Sequence, residues 1–386
     1  MRICFLCNEY PPGPHGGIGT MTQVLARALV QAGHEVRVVG AYRQEYPAPD
    51  YEEDQGVRVW RLRRNDHRFS RFPARRRLFQ IVAGWSRRGE IDLIEVPDWE
   101  GWVAGWPRLP VPVIARLNGS ISYFSAEMGQ PINRVTFWLE RASLRRAEFW
   151  CSVSRYTADK TQRLFGLHSG PRAILYNPVD VPTDVGATAR SGRLVIFTGT
   201  LAVKKGIVSL AKAWPRVLEV CKEAELHIYG KDGRTEDGPS MEAFIRSQHN
   251  GRVGKSIHFH GHVDRAKLFE ALQNARLAVF PSYAEAFALA PLEAMAHGCP
   301  TIYSQRGSGP ELIENGRDGL LIEPDHPHDI AEAVARVLTD DSLAQRLGQA
   351  GRERVMKNFS AQVLLAQNEA FYQDCLNDFH NPSVDS

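Results

Sequence analysis

Two glutamates stand eight positions apart where an apolar stretch gives way to a helical pattern. Glu285 follows the predicted strand Leu277–Phe280, and Glu293 lies one turn inside a helix that is predicted to end at Gly298. The backbone N–H groups at the start of such a helix can hold a phosphate. Carboxylates beside that anion would repel it, so they indicate binding of hydroxyl groups. One carboxylate would bind hydroxyls of a sugar and the other would bind hydroxyls of a ribose. For the spacing alone, two ordinary acidic residues on an amphipathic helix remain the alternative.

A pair of lysines lies in a glycine turn after another predicted strand. Lys204 and Lys205 stand between Gly199 and Gly206. Lysine supplies a compact positive charge, which suits a diphosphate at a strand end. Taken alone, the pair is interpreted more simply as two solvated lysines on a surface loop.

A glycine-rich loop near the N-terminus precedes a helix that is predicted to begin near Thr20. Gly16, Gly17 and Gly19 allow the backbone to approach a ligand closely, and the helix start favours an anion. The loop is neither G-x-G-x-x-G nor a P-loop, which counts against NAD and P-loop nucleotide sites. A tight turn between strand and helix is equally open.

The elements that must position these loops alternate between short apolar strands and amphipathic helices. This alternation predicts doubly wound parallel sheets, which bind ligands outside the carboxyl ends of their strands. Eleven strands are predicted, and the series restarts after residue 190, so we expect two Rossmann-like domains. The boundaries are placed at residues 1–180, 181–365 and 366–386, with a turn-rich linker at Asn177–Asp184. A last helix near residues 361–376 is left free to pack elsewhere.

Composition narrows the class of protein. Of the 386 residues, 43% are hydrophobic and 24% charged, which is typical of a soluble globular chain and excludes disordered, collagen-like and polytopic membrane proteins. The first residues resemble a strand and not a signal peptide. The six scattered cysteines predict reduced thiols and a cytoplasmic protein. Residues 1–180 carry a net charge of +7 and the remainder −4, so two different partners are expected, and nucleic acid is not among them.

Taken together, these loops resemble the retaining family-4 glycosyltransferases of GT-B fold, over nearly the whole chain. The resemblance implies two Rossmann-like domains that face each other across a cleft, with acceptor bound by the first, donor by the second, and a C-terminal helix returning to the first. The matching segments are Tyr10-Pro11-Pro12, Gly16–Gly19, Gly33–Val36, Asn177–Asp180, Gly199-x-Leu201, Lys205-Gly206, Glu285-x7-Glu293 and Gly307–Asp325.

The same resemblance implies a role for each matching residue. Glu293 would bind the donor ribose, Glu285 the transferred sugar, and Lys205 the diphosphate. The base would stack near residues 230–231 and 262–263. The full set of implied donor contacts is Gly17, Thr200, Lys205, Gly230, Lys231, His262, Val263, Glu285, Phe287, Ala288, Leu289 and Glu293.

Catalysis in this family implies no resident cofactor and no metal, because the leaving diphosphate helps to deprotonate the acceptor on the same face and the configuration is retained. The residues implied to take part are Glu285, Lys205 and Asn118. The acceptor is expected near Asp98, Trp99 and Arg116, after strands of the first domain.

Three positions depart from the family pattern. Thr200 stands where the family usually has arginine, and Lys204, Lys231 or Arg306 are the candidate substitutes. Asn118 stands in place of a histidine, and asparagine can form hydrogen bonds but cannot titrate. The usual Glu-Gly-Phe-Gly reads Glu285-Ala286-Phe287-Ala288, and alanine does not tolerate positive φ, so the loop is expected to lie slightly differently.

Two further patterns have competing interpretations. His258, His260 and His262 alternate on a predicted strand; satisfied strand histidines or a lining of the base pocket are favoured over a metal site. The basic and aromatic run Arg71–Phe79 fits either a solvated face or a contact with anionic lipid or a lipid-diphosphate acceptor.

The expected function is therefore transfer of a hexose, first of all glucose from UDP-glucose because uridine donors are frequent in the family. The expected acceptor is a saccharide or lipid-linked saccharide of a cell-surface polysaccharide or glycolipid. The expected location is the cytoplasm, with the inner face of the membrane as an alternative site of contact. The rival hypotheses are a sugar-nucleotide epimerase or phosphorylase on the same fold, and a non-catalytic nucleotide-sugar sensor or scaffold.

Overall fold

The computed structural model describes residues 1–65, 71–183, 192–235, 238–249 and 251–381 of the chain. The chain divides into two units, each built around one sheet. Met1–Pro178 and Ala361–Ser386 form the first unit, and Val179–Ser360 forms the second. The sequence placed the two changes of domain after residues 180 and 365, whereas the structure has them after 178 and 360. Asp184, at the end of the expected linker, lies outside the described residues.

The first unit contains an eight-stranded sheet in the order β3-β4-β2-β1-β5-β6-β7-β8. Neighbouring strands are parallel except β3 and β4, which pair antiparallel at one edge. The strands are β1 (Arg2–Leu6), β2 (Glu35–Arg43), β3 (Tyr51–Asp54), β4 (Val57–Arg64), β5 (Leu93–Pro97), β6 (Val113–Leu117), β7 (Phe149–Ser152) and β8 (Ala173–Ile174). The helices between them are α1 (Gly17–Gln31), α2 (Arg71–Arg87), α3 (Ile121–Glu127), α4 (Arg134–Arg146) and α5 (Arg155–Phe165).

The antiparallel edge was not predicted, and neither was β8. Four of the eight residues of β4 are arginines, which is typical of exposed loops. In the structure Val57 and Val59 are buried while Arg58 is partly exposed, and this alternation ends at Arg61, which is buried beside Leu62. Helix α1 also begins three residues earlier than expected, at Gly17, because glycines have low helix propensity and conceal the true start.

The second unit contains a six-stranded, all-parallel sheet in the order β11-β10-β9-β12-β13-β14. The strands are β9 (Leu194–Thr198), β10 (Glu225–Tyr229), β11 (Ile257–Gly261), β12 (Leu277–Phe280), β13 (Thr301–Ser304) and β14 (Leu320–Ile322). The helices are α6 (Ile207–Val220), α7 (Met241–Gln248), α8 (Gly251–Lys255), α9 (Arg265–Asn274), α10 (Leu289–Ala296), α11 (Gly309–Leu312), α12 (Pro327–Thr339) and α13 (Asp341–Asn358). All six strands were predicted, and the predicted fold class of two parallel α/β domains is confirmed.

The last helix, α14 (Ala361–His380), belongs to the first unit, where it packs on α1. Its Tyr372 is fully buried, and the hydroxyl donates to Glu95 Oε2 over 2.7 Å. At the helix surface, His34 Nε2 lies 2.7 Å from Glu369 Oε1. These contacts explain why a helix at the end of the chain joins the domain at its beginning. Within the described part of the chain, no helix combines the length and the apolar character that crossing a membrane requires.

Candidate active site

Lys205 and Glu285 form an ion pair that joins two loops at the carboxyl edge of the second sheet. Lys205 ends the short 3-10 turn after β9, and Glu285 lies between β12 and α10. Ser282 Oγ also donates to Glu285 Oε1 over 3.2 Å. The two side chains that the family pattern assigns to diphosphate and sugar are therefore neighbours, although 80 residues separate them in sequence.

A single glycine allows these two loops to approach. Gly206 has φ of +71°, and a Cβ placed there would lie 1.7 Å from the carbonyl oxygen of Pro281. No side chain fits that space, and the left-handed conformation itself favours glycine. Gly307, with φ of +63°, supports the loop from another side, because its added Cβ would lie 2.9 Å from the Glu285 carbonyl oxygen.

The start of α10 has the geometry that an anion or a sugar hydroxyl can use. Ala288 is the N-cap residue and its side chain offers no acceptor for the first-turn N–H groups. Its φ of −89° is compatible with alanine, so glycine is not required at this position. Phe287 is buried, and its ring lies 6.1 Å from that of Phe359. Backbone amides from Phe287 to Leu289 thus lie on a packed support, and the alanine substitutions need not displace the loop.

Glu293 has a partner that the sequence did not indicate. The guanidinium of Arg265 lies 2.7 Å from Glu293 Oε1, and it also lies over the ring of Phe269 at 5.1 Å. Arg265 is the first residue of α9, directly after the N-cap Asp264. In the sequence, the only indication of this pairing was a basic residue just after the expected base-binding segment 262–263. The ribose-binding candidate is therefore held by a cation from the neighbouring strand–helix connection.

Three neighbouring strand ends bring the expected diphosphate and base segments to one edge. Strands β9, β10 and β11 are adjacent and parallel, so the residues that follow them share an edge: Gly199 and Thr200, Gly230 and Lys231, and His262 and Val263. Gly230 must be glycine, because an added Cβ would lie 1.9 Å from the Gly199 carbonyl oxygen. Thr200, Lys231 and His262 are exposed there.

The three candidate substitutes for the missing arginine differ in environment. Arg306 lies 2.5 Å from Glu323 and also pairs with Asp325, so acidic groups already neutralise its charge. Burial lowers the pKa of Lys204, although the nearby Glu285 acts in the opposite direction. Lys231 is exposed, and its carbonyl accepts from Leu201 N over 2.9 Å. Lys204 directly precedes Lys205, the diphosphate candidate, in the chain.

In the first unit, a carboxylate of the chain itself lies at the start of α1. Glu9 Oε1 accepts from Gly19 N over 2.9 Å. Burial raises the pKa of Glu9, while backbone N–H groups at the helix start oppose that shift. A Cβ on Gly17 would meet nothing within 4 Å, so this residue is open to a ligand. Gly19, by contrast, serves close packing, because its added Cβ would lie 2.1 Å from the Glu9 carbonyl oxygen.

The acceptor candidates lie around buried polar groups. Asp98 is 1% exposed, and its Oδ1 accepts from Asn118 N over 2.9 Å. Among the described residues, Asp98 Oδ2 and Asn118 Oδ1 are buried without a hydrogen-bond partner. Burial raises the pKa of Asp98 to about 7. The prediction that Asp98 contacts an acceptor is therefore corrected: its carboxyl lies beneath the surface and holds the backbone of Asn118.

The prediction for Arg116 also requires correction. The side chain is 1% exposed and bonds Glu95 through two nitrogens, at 2.7 and 2.8 Å. A third contact reaches Asn368 Oδ1 of α14 over 2.6 Å. On a buried strand, alternate residues point to opposite faces, and Arg116 faces the C-terminal helix. It cannot meet an acceptor from there.

The aromatic and basic candidates of the first unit divide between surface and core. Trp99 is half-buried, with its ring edge-on to Phe124 at 6.4 Å, so it stays an acceptor candidate. The nearby Trp102, which the sequence alone could also place against a sugar, is 1% exposed and belongs to the core. In the basic run 71–79, Arg75 is buried and donates to the Glu100 carbonyl over 2.6 Å, whereas Phe72 is 60% exposed. Part of the run is therefore buried and supports the fold, and part of it is exposed at the surface.

The comparisons with known proteins match both halves of the chain. Residues 15–182 match the model of Glycosyltransferase Family 4, and residues 185–354 match that of Glycosyl transferases group 1. A glycogen synthase of Mycobacterium tuberculosis is 28% identical over 96% of this chain and 94% of its own length.

Solved structures show the same architecture. The sucrose-phosphate synthase of Thermosynechococcus elongatus superposes with a TM-score of 0.80 at 22% identity, over 96% of this chain and 98% of its own. HepE of Anabaena, in complex with UDP and glucose, superposes with a TM-score of 0.74 at 17% identity, over 97% and 99%.

Proposed function

Since the chain belongs to the GT-B glycosyltransferases, with a family-4 domain followed by a group-1 domain, we propose that it transfers a hexosyl group with retention from a nucleoside diphosphate sugar. UDP-glucose is the first candidate donor, and a saccharide or lipid-linked saccharide in cell-surface polysaccharide synthesis is the candidate acceptor. The observation that carries this proposal is the Lys205–Glu285 ion pair beside the start of α10.

Two kinds of group would hold the donor: a cation and backbone amides would bind its diphosphate, and carboxylates would bind its hydroxyl groups. When the donor binds, the Lys205 ammonium would move from Glu285 to the diphosphate and would neutralise its charge as the diphosphate leaves the sugar. The Glu285 carboxylate would then accept hydrogen bonds from sugar hydroxyls. The first-turn amides of α10 would stabilise the same developing charge. Glu293, oriented by Arg265, would bind the ribose hydroxyls.

The first unit would supply Gly17 and Asn118. Gly17 would meet the diphosphate through its backbone, and Asn118 would form a hydrogen bond with the 6-hydroxyl of the sugar. The side-chain oxygen of Asn118 is buried without a hydrogen-bond partner in the described structure, so the side chain would have to turn outward to meet the hydroxyl. We assign no metal and no resident cofactor to the transfer, because lysines and amides would carry the charge stabilisation.

We propose that the enzyme acts in the cytoplasm, with α2 as the surface that would approach the inner face of the membrane if the acceptor is lipid-linked. The exposed Phe72 beside the arginines of that helix supports this alternative. Similarity to HepE, whose structure contains UDP and glucose, supports uridine and glucose as first choices.

A thermal shift panel with UDP, GDP, ADP, TDP and CMP, each with and without magnesium, tests the proposal. A ligand at about 100 times its dissociation constant adds roughly 2.7 kcal/mol of apparent stability. We expect one nucleoside diphosphate to shift the unfolding temperature without magnesium. Its hexose derivatives are then tested for transfer to saccharide acceptors, with product configuration read by NMR.

Glu293→Ala should reduce the shift, while Glu332→Ala, which removes an exposed glutamate of α12, should keep it. No shift with any nucleotide would contradict the donor site and favour a different role for the fold. Binding without transfer to any acceptor would favour the sensor or scaffold hypothesis, for which the exposed Thr200 and the neutralised Arg306 are the structural arguments.

A further inference from the structure

Three histidines and a glutamate gather on one face of strands β10 and β11. Glu225 and His227 project from β10, and His258 lies directly opposite His227 on β11. The other face of these strands, with Leu226 and Ile257, packs into the core. Because side chains alternate along a strand, the histidine face points away from that core. Strand β11 is the outermost strand of the sheet, so the group lies at its edge.

The ligand atoms of Glu225, His227 and His258 lie within 4.8 Å of one another. Glu225 Oε2 is already 3.3 Å from His227 Nε2, and the rings of His227 and His258 are 4.7 Å apart. Bonds of about 2.0–2.1 Å to a tetrahedral zinc ion place its ligands about 3.3 Å from each other. The Glu225–His227 pair already has this spacing, so the remaining adjustment lies in the distances from these two groups to His258.

His260 contacts this group through the ring of His227. Its Nε2 lies 2.9 Å from His227 Nδ1. Metal-binding histidines are oriented by donating the other ring N–H, usually to a carboxylate, a backbone carbonyl or water; if His227 bound a metal through Nε2, its Nδ1–H would donate to His260. The pairing of the strands shifts by one residue here, from Ile228 opposite Phe259 to Tyr229 opposite Gly261, so His260 is the inserted residue of a bulge. The bulge stacks His260 on Tyr229, with ring centroids 4.4 Å apart and planes within 9°.

We propose that Glu225, His227 and His258 form a binding site for a divalent transition metal of the zinc class, with His260 as a positioning residue. Two imidazoles and one carboxylate are borderline donors that suit Zn²⁺, Ni²⁺ and Cu²⁺, and they do not suit Mg²⁺, which prefers oxygen ligands. The metal would join the two strands just before the segments 230–231 and 262–263. It would stabilise that edge of the second unit and would take no part in glycosyl transfer.

The proposal is tested on the full chain after treatment with a chelator. Titration with Zn²⁺ alone, followed by calorimetry and thermal unfolding, should show one strong site and a higher unfolding temperature. Mg²⁺ at the same concentrations should cause no change. Co²⁺ in place of Zn²⁺ should give visible absorption bands typical of tetrahedral coordination, a readout that needs neither donor nor acceptor.

Variants distinguish ligands from the positioning residue. His258→Ala and Glu225→Gln should each weaken Zn²⁺ binding at least 100-fold, whereas His260→Ala should weaken it by about 10- to 100-fold. Glu225→Gln removes an exposed group and should leave the fold intact. His168→Ala, which removes an exposed histidine of the first unit, is the control and should bind as the wild type does. Unchanged Zn²⁺ affinity in both Glu225→Gln and His258→Ala, or equal binding of Mg²⁺, would overturn the proposal.

Discussion

The guanidinium of Arg265 lies 2.7 Å from Glu293 Oε1, so the carboxylate assigned to the donor ribose is held by a cation from another helix. Arg265 is 44% exposed at its side chain, and exposed ion pairs contribute little free energy. Its contribution to the site is therefore mainly to orient Glu293.

We expect Arg265→Ala to weaken nucleoside diphosphate binding by about fivefold or less, because an exposed pair is worth up to about 1 kcal/mol. Glu293→Ala should weaken binding more, since the ribose hydroxyls then lose their acceptor. Calorimetry with the nucleotide chosen by the thermal shift panel provides the comparison. Arg317→Ala, which breaks an exposed pair with Glu314, is the matched control. Unchanged nucleotide affinity in Glu293→Ala would exclude the ribose assignment.

Lys205→Ala should reduce kcat by about 10²–10³-fold, as removal of one group that stabilises a developing charge commonly does. Lys205→Arg should recover part of the activity because the charge remains. Glu285→Gln should lower kcat more than donor affinity. Since Lys205 and Glu285 are in contact, the effects of the double substitution should not add. Steady-state kinetics of the single and double variants measure this coupling, and strictly additive effects would show that the two residues act independently.

Asp98 should make folding stability depend on pH. Burial raises its pKa from 3.8 to about 7, so the neutral form is favoured in the folded protein. The stability that this group contributes is fully present below pH 3.8 and is lost as the pH rises through 7. A rise of the pKa from 3.8 to about 7 corresponds to roughly 4 kcal/mol of folding stability.

The test compares urea unfolding of the wild type and Asp98→Asn between pH 5 and 8. Asparagine keeps an acceptor for the N–H of Asn118 but cannot ionise. We expect the variant to gain stability relative to the wild type as the pH rises across this range. Parallel pH profiles for the two proteins would show that Asp98 is ionised in both states at pH 5.

Arg116→Met should destabilise the first unit without a specific effect on acceptor affinity. The substitution leaves Glu95 buried without its cation, and removal of one partner from a buried pair typically costs about 3–5 kcal/mol. Tyr372→Phe should cost about 1–3 kcal/mol, because it removes a hydrogen bond to the same carboxylate from α14. Chemical unfolding measures both changes. A raised acceptor KM with unchanged stability in Arg116→Met would restore its assignment to the acceptor site.

Much of the architecture was determined by sequence alone, because local patterns report local structure. In the second unit, β9, β12 and β14 are short apolar runs bounded by turn residues, and β10 and β11 alternate polar with apolar residues; both patterns are typical of strands. The glycine turn with Lys205 and the strand–loop–helix around Glu285 were recognisable for the same reason. Strand β4 was not predicted because four of its eight residues are arginines, and the sequence does not show that Arg61 is buried in an ion pair with Glu52.

Only the tertiary structure decided which way side chains face and what they meet. The sequence placed Asp98 and Arg116 after or within strands of the first unit, yet both are buried, one beneath Asn118 and the other against α14. The pairs Lys205–Glu285 and Arg265–Glu293 join residues 80 and 28 positions apart. Such contacts depend on how parallel strands are ordered in a sheet and on close approach of backbones at Gly206 and Gly230. The order of residues in the sequence shows neither the order of strands in the sheet nor the close approach of these backbones.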